Sequence, residues 1–540
     1  MSHLRRVAAT LAATAVALTP GLLGSAQAAP PPLPHDDAFY QYGVDGTPAT
    51  PPPTSQPGDV LDSRSVTLPT MVDLINALAA QNGQPFTTFA AASTQLLYRT
   101  QDELGRPSAT VTTVIEPTVV NPDAVSKGVV AYLSYYDGLS DSCDPSYTLQ
   151  DTSINGEKAV IGSLLEQGYT VTIPDFEGEG LDWAAGHEAG WNTLDAIRAT
   201  ESSLGLPAST KVGMIGYSGG SIAGEWASEL APTYAPALDL VGTAIGGIPV
   251  NLGDVMKYVD SAADTDRDQW AGVIPAAMVS LGRAVGKDFA AEYGSSTPTY
   301  PEGAPTLSGQ DIAAQVSDKC IDGFRATYPG LHVADLLQDP TSNFLAEPDV
   351  KPLVDSLVMG NGAAPTAPML MVQGNKDGIG DGVMVAADVK ALALKYCQAG
   401  LPVQYSEVAG KAHGDVGTTF MLQGIGYLAG RFGGQAAPST CPPAAVPVVK
   451  HAIHPKLHAH TKGRHDILVV KAAGATGAKV KVFRLHHGHQ TKVGHGVVDK
   501  HGKARIKVTD HNGSAKTRYR AKVAATTTTL AAVTRVVKQR

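Results

Sequence analysis

Cysteine is scarce in this chain, with four in 540 residues and no Cys-x-x-Cys pair, so no metal-ligand spacing is present. A phosphate loop, a dinucleotide fingerprint and a zinc motif are all missing, so no cofactor and no metal are expected. Beyond residue 28 no apolar stretch is long enough to span a bilayer, which removes a transmembrane segment from the expectations. Histidine is sparse over most of the chain. Before residue 450 only His3, His35, His187, His332 and His413 occur, so few groups are available as a general base.

What is present begins with an export signal. Arg5 and Arg6 precede an apolar run over 7–23 broken by Pro20-Gly21, and Ala26-Gln27-Ala28 offers a small-residue cleavage site. Residues 1–28 therefore read as a signal peptide, and the mature chain as secreted. In an oxidising compartment the even set Cys143, Cys320, Cys397 and Cys441 reads as two disulfides, with three connectivities open. Apolar residues make up 43% of the chain and aromatics 6%, ordinary values for a protein with a sizeable core.

The net charge of −9 hides two opposed regions. From residue 450 onward, 20 Lys and Arg stand against 3 Asp and Glu, a charge of +17. The preceding residues carry 21 against 47, a charge of −26. The tail also holds 11 of the 16 histidines. Such a shift marks a domain boundary, and the Ala/Pro-rich stretch 435–449 reads as a linker that continues as a basic connector to 465. Short strand-like runs at 466–470, 479–485, 504–508 and 517–523, separated by Gly, Asn and Asp turns, predict a small β-sandwich over 466–540.

Between 29 and 434 strands alternate with helices, the pattern of an α/β fold. Strands are expected at 129–136, 169–173, 211–215, 241–245 and 369–372, and a crossover helix at 193–204. The rhythm breaks over about 252–345, where helical patches and Pro/Gly turns predict a cap or lid inserted over one face of the sheet.

Gly216-Tyr217-Ser218-Gly219-Gly220 lies between the strand at 211–215 and a helix beginning near Ser221. A strand–Gly-x-Ser-x-Gly–helix turn exposes its serine in a strained conformation, so Ser218 is the candidate nucleophile. A serine hydroxyl needs a base, and the base an orienting acid. Only His332 and His413 follow Ser218 ahead of the tail. His413 sits in a Gly-Lys-Ala-His-Gly loop after a strand-like segment at 403–408 and is the candidate base, while His332 falls inside the cap and reads as structural. The strand at 369–372 runs into Gln373-Gly374-Asn375-Lys376-Asp377, which favours Asp377 as the acid. Asp381, four residues on, is the alternate. The same acidic, glycine-rich loop has too few carboxylates for a Ca²⁺ site.

Several separated segments now resemble the secretory lipase family of α/β-hydrolases over about residues 132–441. They are Tyr135-Tyr136-Asp137, Cys143-Asp144-Pro145-Ser146-Tyr147, Pro174-Asp175-Phe176-Glu177-Gly178, Thr193-Leu194-Asp195-Ala196-Ile197-Arg198, the serine turn, Gly246-Gly247-Ile248-Pro249, the acid loop, Cys397 and His413. The resemblance implies an α/β-hydrolase with a cap and hydrolysis of ester or lipid substrates. It also implies an oxyanion hole from the backbone N–H groups of Asp137 and Gly219, and disulfides Cys143–Cys320 and Cys397–Cys441. One departure is the lengthened acid loop: counting back from Cys397 points to Asp381, counting forward from the strand to Asp377.

The same machinery would also suit acyl transfer or peptide cleavage. A reading of another class makes the chain a surface-binding protein, held on anionic polymer or lipid at the cell surface by its tail. Basic residues without interleaved aromatics give no specific nucleic-acid signal. Oligomeric state is left open.

Overall fold

The computed structural model describes residues 31–40, 50–68, 91–117, 127–150, 156–261, 269–287, 293, 307–442, 451–487, 489–510, 515–526 and 529–540. The expected signal peptide lies outside them. The chain divides into two compact units, Met1–Pro442 and Pro443–Arg540.

The first unit is built on strands β1 (Val60–Val66), β2 (Ala91–Gln101), β3 (Pro107–Pro117), β4 (Val129–Leu133), β5 (Thr170–Pro174), β6 (Lys211–Tyr217), β7 (Asp239–Gly246), β8 (Met369–Asn375) and β9 (Val403–Ala409). They form a nine-stranded sheet in the order β1-β2-β3-β5-β4-β6-β7-β8-β9. From β5 to β9 the neighbours run parallel. Strands β1, β2 and β3 extend the sheet antiparallel. The central strands are buried on both faces, and their period of two sorts side chains into two cores. Val129, Ala131, Leu133, Met214, Met369 and Met371 pack against helices Gly186–Ser203, Gly219–Tyr234 and Ala386–Gln398 through Leu194, Ile197, Trp226 and Leu392. Val130, Tyr132, Ile215, Leu370 and Val372 meet helices Gly156–Glu166 and His413–Phe432 through Leu164, Phe420, Leu428 and Phe432. This is the α/β-hydrolase layering, with helices on both faces of a mostly parallel sheet.

The segment joining β7 to β8 holds helices Leu252–Ser261, Val273–Ala284, Gly309–Val316 and Val350–Ser356. The helical insertion thus continues past 345, because Val350 and Val354 are buried in the same core as the earlier cap residues. Strands β1–β3 were not anticipated. Their Ser, Thr and Gln content, as in Ala-Ala-Ser-Thr-Gln over residues 91–95, leaves no long apolar run to mark them.

The second unit contains β10 (Lys456–Lys462), β11 (His465–Lys471), β12 (Lys479–His486), β13 (His489–Val497), β14 (Lys503–Thr509), β15 (Thr517–Val523), β16 (Ala532–Val533) and β17 (Val537–Gln539). One antiparallel sheet has the order β10-β11-β14, and the other β13-β12-β15-β16, with β17 also on β15. Leu468, Val470, Ile506, Val480, Val482 and Tyr519 from the two sheets share one core. Asp466 is buried between them and accepts from Tyr519 Oη and Thr461 Oγ1, each at 2.7 Å. Strand β10 occupies part of what the sequence suggested was connector. Only Leu457 and Ala459 turn inward along it, too few apolar positions to stand out among Lys and His.

Candidate active site

Parallel strands end on a common edge, and the turns leaving that edge carry the candidate residues. Ser218 follows β6 and caps helix Gly219–Tyr234 with φ 55° and ψ −121°. A non-glycine residue held there costs roughly 1–3 kcal/mol, which the surrounding packing must offset. The turn is enforced by close approach: a Cβ on Gly220 would lie 2.1 Å from Leu133 O. Ser218 N–H donates to Gly246 O at 2.9 Å, fixing the turn to the end of β7.

His413, at the start of helix His413–Phe432, lies with Nε2 2.9 Å from Ser218 Oγ. Its Nδ1 lies 2.9 Å from Asp381 Oδ2, and its backbone N–H donates to Asp381 O, also at 2.9 Å. Tyr217 Oη donates to His413 O, and Trp270 meets the imidazole edge-on with centroids 5.3 Å apart. Serine, imidazole and carboxylate thus form one buried relay.

The preferred acid, Asp377, is not in that relay, and its alternate Asp381 is. Asp377 is exposed; its Oδ1 accepts from the N–H groups of Ile379 (2.7 Å) and Gly380 (2.9 Å), and its Oδ2 from Tyr258 Oη (2.8 Å). The reason is the path of the loop. Lys376 N–H donates to Gly380 O at 2.6 Å, so residues 376–380 leave the end of β8 and return to it, delivering Asp381 where Asp377 was expected. Asp381 is 1% exposed; its Oδ1 accepts from Val383 and Met384 N–H at 3.1 and 2.7 Å, and its Oδ2 from Gln373 Nε2 at 2.8 Å. Gln373 in turn accepts from Ile248 N–H at 3.0 Å, bracing the acid against the end of β7. No local pattern marks Gln373 in the sequence, because its role depends on a contact eight residues away.

Asp137 has φ 30° and is buried beside Gly219. A Cβ on Gly219 would fall 1.6 Å from Asp137 Oδ1, so any larger residue after the serine would displace that carboxyl. The carboxyl accepts from Trp183 Nε1 at 2.9 Å and from Gly219 N–H. Burial pushes its pKa up to about 7, against the opposing pull of the Trp183 hydrogen bond and the His413 charge. His332 faces Asp260 at 3.3 Å within the cap, away from the relay.

Disulfides Cys143–Cys320 and Cys397–Cys441 are formed, the pairing the resemblance implied. The first fastens the cap to the Asp137 loop. Beside it Ile321 N–H donates to Asp137 O, and Leu139 N–H to Lys319 O, both at 2.9 Å. Next to Ser218 opens an apolar cavity roofed by the cap, with Ile222, Met256, Val273, Met278, Leu353 and Met384 in its wall. Among the described residues no helix is long and apolar enough to cross a membrane.

The family model for secretory lipases matches residues 145–440. A probable inactive lipase of Mycobacterium tuberculosis is 31% identical, the match covering 75% of this chain and 84% of that protein. A secreted triacylglycerol lipase of Malassezia globosa is 30% identical over 76% of this chain and 83% of its own length. The crystal structure of Candida antarctica lipase A in its closed state superposes with a TM-score of 0.63 at 26% identity, covering 77% of this chain and 91% of that one. The chain therefore belongs to the secretory lipase family.

Proposed function

We propose that the protein is a secreted carboxylic ester hydrolase that cleaves acyl glycerols or related lipid esters through Ser218, His413 and Asp381. The observation that carries this reading is the Ser218–His413–Asp381 hydrogen-bond chain opening onto an apolar cavity. His413 Nε2 takes the proton from Ser218 Oγ as the oxygen attacks the acyl carbonyl, and Asp381 holds Nδ1–H and balances the imidazolium. The backbone N–H of Asp137 receives the tetrahedral oxyanion, joined by that of Gly219 as it leaves the Asp137 carboxyl. Collapse expels the alcohol, which takes its proton from His413, and water then releases the acyl group from Ser218 by the same route. The cavity wall offers an acyl chain hydrocarbon contacts and almost no polar competitor, so an aliphatic acyl group suits it.

Membership of the family and the N-terminal segment support export. One relative is described as probable inactive, so the deciding test is turnover itself. The secreted protein and Ser218→Ala are assayed side by side on p-nitrophenyl esters from acetate to palmitate. Turnover that vanishes in the variant supports the reading, and the chain-length profile separates esterase from lipase. Equal rates in both sink it.

A further inference from the structure

The second unit carries its charge on a sheet face that also exposes apolar side chains. Along β12, Val480 and Val482 point into the core while Lys479 and Lys481 point out. Register places Lys481 between His495 of β13 and Lys522 of β15. Phe483 follows, between Lys492 and Arg520, and then Leu485 beside Arg518, which pairs in turn with Lys538 of β17. Residues directly opposite one another in an antiparallel pair share a face, so these rows form one surface. Val497 lies opposite Lys479 and Val533 opposite Lys522; the two valines are 57% and 52% exposed. Lys522 Nζ sits 5.2 Å from the centre of the Phe483 ring.

Nothing acidic answers this charge among the described residues of the face. The unit has three acidic side chains. Asp466 is buried between the sheets, and Asp499 lies in the turn after β13, where it accepts from the N–H groups of His501 and Lys503. Asp510 follows β14 in the other sheet. Like charges side by side and bare aliphatic side chains each cost free energy in water, and both costs fall against a surface that is anionic outside and apolar beneath.

We propose that the outward face of β13, β12 and β15, with Val533 and Lys538 at its margin, docks onto an anionic lipid surface. Lys and Arg engage headgroup phosphates, while Val497, Val533 and Phe483 reach the boundary between headgroups and acyl chains. A flat polymer of phosphate or sulfate would satisfy the cations but would leave the valines in water, so lipid fits the whole face better. The inference is independent of the catalytic reading: docking survives if the chain turns over no ester.

The test is co-sedimentation of the full chain with sucrose-loaded vesicles of phosphatidylcholine, plain or with about 30 mol% phosphatidylglycerol. Binding is expected only with the anionic lipid, and to weaken several-fold between about 0.1 M and 0.5 M salt. Two triple variants carry the same change in net charge. Lys481→Glu, Arg518→Glu and Lys522→Glu together lower the partition coefficient by at least about tenfold. Lys456→Glu, Lys471→Glu and Lys507→Glu, on the exposed face of the other sheet, lower it by less than about threefold. Val497→Ser with Val533→Ser also weakens binding, by about threefold to tenfold. Thermal melts check that each variant is folded. Equal binding to neutral vesicles, equal losses in the two triple variants, or silent valine variants together with tighter binding to heparin or DNA would each overturn the proposal.

Discussion

Asp381 owes its place to groups that follow and flank it: Gln373 Nε2, the N–H groups of Val383 and Met384, and His413. Asp381→Asn should lower kcat by about 10⁴-fold, because an amide no longer stabilises the imidazolium or fixes its tautomer. Asp377→Asn should leave kcat within about threefold and cost about 1 kcal/mol in urea unfolding, since it loosens only the loop and its link to Tyr258. The reverse ranking would return the acid to Asp377. The pairing of Ser218 with His413 was legible in the sequence because the serine turn is a local constraint and histidines are few. The carboxylate that meets His413 was not: its position depends on how far residues 376–380 bulge before returning, which no count of residues from β8 reveals. Asp137 supplies a second residue-scale prediction. Its carboxyl holds Gly219 N–H and has its pKa pushed up to about 7 by burial. Below that pH it is neutral beside the developing oxyanion; above it, its negative charge opposes one. The kcat/KM for a soluble ester should therefore fall as pH rises through about 7, and Asp137→Asn should lose that limb. A limb that persists unchanged in the variant excludes Asp137 as its source.

Among the elements, those whose side chains repeat with one strong period were readable, and those mixing polar and apolar positions were not. Strands β6, β7 and β8 announce themselves as apolar runs, whereas β10 buries few apolar residues and the buried Leu96-Leu97-Tyr98 of β2 is flanked by Ser, Thr, Gln and Arg. Helix Gly186–Ser203 begins seven residues before the expected start at 193 because its first turns bury Glu188 and Asn192, polar residues that a hydrophobic pattern misses. Glu188 packs against a buried acidic segment between β5 and this helix. Asp175 and Asp182 are each pushed up to about 7, chiefly by burial, and Glu188 is driven up by burial and by the neighbouring Asp182. Unfolded carboxyls titrate near 4, so these groups bind protons more tightly when folded. Their stabilising contribution is complete below about pH 4 and is lost as pH rises through about 7. The urea midpoint should accordingly be higher at mildly acid pH than in weak alkali, and Asp182→Asn with Glu188→Gln should narrow the difference. An unchanged difference in that double variant assigns it to other groups. The Cys143–Cys320 bond closes a sequence separation of 177, and replacing both cysteines by serine should cost about 3–5 kcal/mol. Turnover should fall as well, because the same bond steadies the loop bearing Asp137. Retained stability in the reduced protein would show that the cap's packing holds that loop unaided.

At the scale of the whole molecule, the division of charge was the clearest signal in the sequence, since composition needs no contact to be read. A −26 α/β-hydrolase region and a +17 sandwich sit in separate compact units. A chain ending after Pro442 keeps both disulfides and should hydrolyse a short soluble ester within about twofold of the full protein, because each unit has its own core. A large loss of soluble-ester turnover would make the sandwich a part of the catalytic machinery. The connectivity of the disulfides bears on how the molecule is made. During synthesis from the N-terminus the cysteines emerge as 143, 320, 397 and 441, and each bond joins one cysteine to the next in line. When Cys320 appears, Cys143 is the sole partner waiting; once that bond is made, Cys397 has no partner until Cys441 arrives. Oxidation in order of appearance yields the native pairs directly, so the newly made chain can mature with a simple oxidant and without an isomerase to correct it.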